Sequence, residues 1–205
     1  MGEVPLMFTG RKARVFGTGH SFERIINDET VSFIERWELF IPNWYEDGKW
    51  KVGPKKGQPR YSCCFGHLEG GDHPPFEYKE GQTFTIEEGR AILKLDMASK
   101  AKFVNKKLTA PVTQFMFGGF ISLTYQFGQG RIQDAEDGFC REHDADGNET
   151  KVPIKPIRPF QLINSGNYID GFLEMEKLNF TTNGAYSTGH HVRRACEIAL
   201  CMTKK

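Results

Sequence analysis

Asn27-Asp28-Glu29-Thr30-Val31-Ser32-Phe33-Ile34-Glu35-Arg36-Trp37-Glu38-Leu39-Phe40-Ile41-Pro42-Asn43-Trp44-Tyr45-Glu46-Asp47 is the stretch on which the reading of this chain turns. Asn27 or Asp28 supplies a helix cap, because a short polar side chain there accepts from an orphan backbone N–H. Val31, Ile34 and Trp37 then recur on one face, with Phe33 beside them. Pro42 forces the helix to end before it, since the residue preceding a proline avoids helical geometry. The expectation is a short amphipathic helix with Glu38 in its last turn. Beyond Pro42 the pattern changes: Trp44, Tyr45, Trp50, Tyr61 and Phe65 alternate with Gly and Pro, as in a small antiparallel sheet. An acid at a helix end thus faces a second acid, Asp47, on the adjoining strand.

Further along, Thr85-x-x-Glu88 is a capping box that opens a long helix. Ile86, Leu93, Met97, Ala101 and Val104 carry its apolar face to about Asn105. Pro111 suits the first turn of a further helix, which runs through Phe120, Leu123 and Phe127 and stops at Gly128. Being apolar nearly all round, it is expected at the centre of the core. Residues 129–160 are polar, contain several Gly and Pro, and read as a long insertion or loop. Tyr168 to Asn179 and His190 to Met202 read as helices. A helix, a small sheet and then several helices make an α+β pattern with a larger helical lobe. The expected division is an N-terminal extension over 1–27 and one domain over 28–205. Within that domain lie a β lobe at about 43–80, a linker helix at about 85–105 and a helical lobe at about 109–202.

Composition narrows the function. The 205 residues carry 27 Lys+Arg against 26 Asp+Glu, a formal net charge of +1. Nucleic-acid binding normally requires clustered excess cation, so no nucleic-acid partner is expected. No apolar run is long enough to span a bilayer, and the first 30 residues have no secretory apolar core. The chain is expected to be made in the cytoplasm and to reach any outside substrate by release or delivery. Five cysteines without Cys-x-x-Cys read as small buried hydrophobes rather than disulfides or zinc ligands. Asp144-x-Asp146-Gly147-Asn148 has Lys155 where a calcium loop needs Glu, so calcium is not expected. His190-His191 read as surface histidines, and Lys100 to Lys107 as a solvated face. Gly17-Thr18-Gly19-His20 reads as a chance string.

Glu38 and Asp47 are the candidate chemistry. Cleavage of a glycosidic bond needs one carboxyl protonated, to donate to the leaving oxygen. It needs another ionised, to direct water or to stabilise charge at the sugar carbon. A hydroxyl such as that of Ser62 helps hold the water.

Ile34-Glu35-Arg36-Trp37-Glu38, Tyr45-x-Asp47 and Gly66-His67 resemble the phage-type lysozymes, glycoside hydrolase family 24. There a helix-terminal Glu is followed by Tyr-x-Asp and then Thr-Ile-Gly-x-Gly-His. The resemblance continues in order through Gly81 to Val104, Ser122 to Gly128, Leu162 to Tyr168 and Gly189 to Glu197. It implies an inverting muramidase that cuts the β-1,4 bond between N-acetylmuramic acid and N-acetylglucosamine in peptidoglycan glycan strands, without cofactor or metal. By position it makes Glu38 the general acid and Asp47 the residue that orients or activates water, with Ser62 standing for the family's Thr. Leu68, Tyr125 and Gln126 are assigned to the glycan cleft, His67 to a structural role, and Arg193 or Arg194 to steadying Glu38. Two departures stand out. Cys63-Cys64 replace Ile-Gly, which removes a glycine from the turn presenting Ser62. The 129–160 insertion adds a lid, a binding surface or a contact for a protein partner to a chain otherwise expected to be monomeric. A lysozyme fold kept as a virion or secretion-system component, and a chitin- or chitosan-type hydrolase, are the alternative readings.

Overall fold

The computed structural model describes residues 24–51, 53–143, 148–178 and 187–203. The stretch 1–23, with Gly17-Thr18-Gly19-His20, and most of the 144–148 string lie outside them. Chain order is α1 (Asp28–Glu35), β1 (Ile41–Lys49), β2 (Pro59–Cys64), β3 (His67–Leu68), α2 (Ile86–Lys107), α3 (Gln114–Phe127), α4 (Gln129–Asp137), β4 (Phe139–His143), β5 (Glu149–Pro153), α5 (Pro159–Asn164), α6 (Tyr168–Glu176) and α7 (Thr188–Cys201).

Helix starts follow side-chain caps. Asn27 accepts from the Thr30 amide, the Thr85 and Glu88 capping box is complete, and Thr113 and Ser187 cap α3 and α7. Pro111 therefore precedes α3 rather than opening its first turn. Residues 24 and 25 are tied down: Arg24 donates to the Leu108 and Ala110 carbonyls at 2.5 and 2.8 Å, and Gln114 Nε2 donates to the Ile25 carbonyl at 2.5 Å.

Two expectations are corrected. Helix α1 stops at Glu35, so Glu38 is not in its last turn. The amides of Trp37 and Glu38 both donate to the Ile34 carbonyl, at 2.9 and 3.1 Å, which winds residues 36–38 into a turn. Pro42 sets only the latest point at which a helix must end. Residues 129–160 are not a loop but contain α4, the β4–β5 hairpin and the start of α5. Gly138, at φ +88°, closes α4 in the left-handed region where a Cβ is disfavoured. The Ile157 amide then returns to the Ala135 carbonyl at 3.0 Å, and Lys107 pairs with Glu136 at 2.8 Å.

The first sheet is antiparallel in the order β1-β2-β3, with Tyr45 opposite Ser62 and Cys63 opposite His67. The core is the buried side of α1, α2 and α7 packed round α3, in which Met116 to Thr124 are all buried. Phe120 meets Phe160 of α5 at a 4.7 Å ring separation. Apolar burial of this kind supplies the main favourable term of folding.

Helix α3 lies close against α7. A Cβ on Gly119 would lie 2.4 Å from Cys201 Sγ and 3.2 Å from the Glu197 carbonyl oxygen. Gly119→Val is therefore expected to lower stability by about 1–3 kcal/mol. In urea unfolding this reads as a lower midpoint with unchanged slope; an unchanged midpoint would contradict the packing described.

Candidate active site

Glu38 leaves the turn after α1 and meets Arg193 of α7, whose Nη1 donates to Glu38 Oε1 at 2.6 Å. Arg193 is buried, at 5% side-chain exposure, against 24% for Glu38. Its remaining donors are used inward. Nε donates to Glu197 Oε1 at 3.3 Å and Nη2 to Ser122 Oγ at 3.2 Å, while that hydroxyl donates to Glu197 Oε1 at 2.6 Å. Arg194 also pairs with Glu197, through Nη2 at 2.8 Å, and donates to Gln126 Oε1. Burial raises the Glu197 carboxyl pKa in spite of both guanidinium groups, and burial lowers Arg194 to about 10.

The second candidate acid stands on the sheet. Ser62 Oγ donates to Asp47 Oδ2 at 3.2 Å, and Arg60 Nη2 donates to the same oxygen at 3.0 Å. Arg60 Nε holds the Asp47 carbonyl at 3.1 Å, so the arginine clips both ends of the residue. Ser62 is buried, whereas Asp47 has 47% of its side chain exposed. The Tyr45 phenol pKa is raised by burial and by Asp47, with a smaller push from Glu38.

A cleft of about 480 Å³ opens in front of Glu38, lined by Trp37, Glu38, Phe65, Gly66, Tyr125, Gln126, Gly189, His190 and Arg193. Of the residues expected in the glycan cleft, Tyr125 and Gln126 line it. Leu68 does not: it sits half-buried on β3, opposite Ser62. Tyr125 has a structural task as well, because its hydroxyl donates to the Phe65 carbonyl at 2.9 Å and fastens the β2–β3 turn to α3. His67 is buried between β3 and α2, with Nδ1 3.1 Å from Asp96 Oδ2 and Nε2 2.8 Å from the Pro75 carbonyl. Burial lowers its pKa, but these partners outweigh burial and raise it overall. Of the two arginines named for Glu38, Arg193 reaches it and Arg194 buttresses Glu197.

The glycine lost at Cys64 has not cost the chain its turn. Cys64 itself holds the left-handed conformation, at φ +54°, and Gly66 follows at +85°. The Gly66 amide donates to the Cys63 carbonyl at 3.1 Å. Cys63 and Cys64 are both buried. The sequence reading missed Arg60, Phe65, Gly189 and His190. Arg60 was open to detection, since it lies two residues before Ser62 and so points to the same face of β2.

The small antiparallel sheet and larger helical lobe define a lysozyme-like α+β fold, and the class is that of a glycosidase. A family model described as phage lysozyme matches residues 35–146, more than half of the chain, and the chain belongs to that family. It is similar to the muramidase domain of SpmX from Asticaccaulis excentricus (TM-score 0.62, 19% identity, 89% of this chain and 100% of that one). It is similar also to an endolysin from Escherichia coli O157:H7 phage FAHEc1 (TM-score 0.62, 22% identity, 86% and 92%). A mutant lysozyme of phage P22 aligns with TM-score 0.63 at 16% identity over 87% of this chain and 99% of that one. At such identities these likenesses are of fold. No curated protein matches the chain by sequence.

Because two arginines depend on one carboxylate, Glu197→Gln is expected to cost about 3–5 kcal/mol, the scale for breaking a buried ion pair. Thermal unfolding followed by circular dichroism reads the loss. An unchanged transition would mean that the Glu197 cluster does not hold α3 to α7.

Proposed function

We propose that this phage lysozyme hydrolyses the β-1,4 bond between N-acetylmuramic acid and N-acetylglucosamine in peptidoglycan, with Glu38 as general acid and Asp47 as the residue that directs water. The observation that carries the assignment is the contrast between the two carboxyls. Glu38 is held at the cleft by a buried guanidinium, and Asp47 is exposed and held by a hydroxyl and a guanidinium.

Arg193 engages Glu38 Oε1, which leaves Oε2 as the oxygen to carry the transferable proton. As that proton moves to the leaving oxygen, the carboxylate that forms already faces a positive charge, so the transition state is favoured over the ground state. Arg193 is itself fixed by Glu197 and Ser122, so the guanidinium that faces Glu38 does not move with it. On the other side of the sugar, Asp47 accepts a proton from water, and Ser62 Oγ fixes the carboxylate and offers lone pairs to that water. Arg60 keeps Asp47 in place. Trp37, Phe65 and Tyr125 give the cleft apolar walls for sugar rings, and Gln126 gives it a polar group. The opposite-side attack by water is the inverting geometry.

Clearing of purified peptidoglycan tests the roles. Glu38→Gln and Asp47→Asn are each expected to lower the rate by about 100-fold or more, the usual scale of general acid–base catalysis. Ser62→Ala should have a smaller effect. Equal clearing by wild type and Glu38→Gln would remove Glu38 from the chemistry. Wild type that binds peptidoglycan but releases no reducing sugar would make the chain a binding module, and release from chitin alone would overturn the substrate. NMR of the first product should show the inverted, α anomer; a β anomer would overturn inversion.

A further inference from the structure

Outside the cleft, three potential ligands converge where the sheet meets the long helix. His67 belongs to β3, Asp96 to α2, and His73 to the segment that joins them. His67 Nδ1 stands 3.2 and 3.1 Å from Asp96 Oδ1 and Oδ2, and His73 Nε2 stands 3.0 Å from Asp96 Oδ1. The two rings are 4.9 Å apart. Ligand atoms from all three residues lie within 4.8 Å of one another.

The outer nitrogens define what the inner ones present. His67 Nε2 is 2.8 Å from the Pro75 carbonyl, and His73 Nδ1 is 3.0 Å from the Pro74 carbonyl. A carbonyl oxygen only accepts, so each ring donates its N–H there. The inner nitrogens, His67 Nδ1 and His73 Nε2, both face the Asp96 carboxylate, so a cation would enter where these hydrogen bonds now run. A ring N–H given to a backbone carbonyl is also the arrangement that orients metal-bound histidines.

We propose that His67 Nδ1, His73 Nε2 and the Asp96 carboxylate form a binding site for a divalent transition-metal cation of the zinc type. Two imidazoles and one carboxylate suit zinc, cobalt or nickel rather than magnesium or calcium, which demand more oxygen ligands. A tetrahedral ion with bonds near 2.0–2.1 Å sets its ligands about 3.3 Å apart. The two histidine–carboxylate gaps of 3.0–3.2 Å need open by only a few tenths of an ångström, and the two ring nitrogens, within 4.8 Å of each other, need draw together. The movement falls on His73, which is on a connecting segment and is 16% exposed, while His67, at 1%, stays fixed. Asp96 is 21% exposed, so a water completes the coordination from the solvent side. The cation would link β3, the 70–80 segment and α2, which makes it a structural staple; it takes no part in the Glu38 chemistry.

Chelator-treated full-length protein is titrated with Co²⁺ and followed by visible absorption, with Zn²⁺ then used to displace it. Wild type is expected to show saturable four- or five-coordinate cobalt bands at one ion per chain, without a thiolate charge-transfer band. Zn²⁺ is expected to raise its melting temperature. His73→Ala and His73→Gln should each weaken binding by more than about 100-fold, exceeding the usual loss from an orienting partner, and abolish the Zn²⁺-induced rise. His73→Gln can still donate to Asp96, so it separates lost coordination from lost packing. Peptidoglycan clearing by both variants should match wild type. The proposal is overturned by wild type with no saturable band, by bands that persist in both variants, or by a thiolate band placing the metal on cysteine. Because the readout is cobalt absorption, failure of the Glu38 assignment would leave this result untouched.

Discussion

A buried cluster of charges, Arg193, Arg194 and Glu197, is the constraint on which the site depends. Glu197 and Arg194 have no solvent exposure, and Arg193 has 5%. Charges removed from water must be compensated in place, because the desolvation penalty is several kcal/mol per ion. Glu197 alone compensates two guanidinium groups within the helix, so the other two partners of Arg193 come from outside α7. Ser122 is supplied from α3, and Glu38 from the turn after α1. The need to satisfy the cluster therefore aligns three distant segments at once, and the candidate acid is one of the groups so aligned. Gly119 permits the close α3–α7 approach that brings Ser122 within reach of Glu197.

The sheet side is built on register. Tyr45 opposite Ser62 puts the hydroxyl beneath Asp47, and a slip of one residue would turn Ser62 to the other face. The turn that follows is pinned at both ends. Tyr125 holds the Phe65 carbonyl from α3, and His67 is anchored to Asp96 of α2. Those pins explain why Cys64 keeps a backbone conformation in which a Cβ is unfavourable. Strain of this sort persists only where surrounding contacts fix the chain. The turn survives the loss of its glycine because contacts on either side hold it.

Local signals and long-range contacts differ in how far the sequence discloses them. The Asn27 cap, the Thr85 capping box and the apolar α3 were legible, because each depends on residues a turn apart. The α+β order and Glu38, Asp47 and Ser62 as candidates followed from ordered motifs. The end of α1 was not legible: the amides of residues 37 and 38 chose the Ile34 carbonyl, which no periodicity reports. Nor was the content of residues 129–160, where polar residues and glycines suggest a loop. Gly138 there ends a helix, and the Lys107–Glu136 pair that seats it spans distant positions. Leu68 was misplaced because a position carried over from a family fixes the strand but not the reach of its side chain. Gly189 and His190 were unreadable as cleft residues, since their approach to Trp37 exists only once α7 has packed.

The two candidate carboxyls are supported in opposite ways, and the chemistry proposed for them explains why. A proton donor benefits from a rigid, water-poor setting, since any wandering would let solvent take the proton and would misplace it against the leaving oxygen. Glu38 has the rigidity from a buried guanidinium. A residue that directs water needs water, and it needs to stay charged. Asp47 has that setting on an exposed strand, between Arg60 and a hydroxyl. The same fold serves both because the acid is tied to the helical core and the second carboxyl to the sheet, with the β2–β3 turn fastened to α3 in between. Substrate that settles between these parts is held by elements whose relative position the Tyr125 and His67 contacts fix. The relative position of the two candidate carboxyls is therefore set by side chains outside the pair.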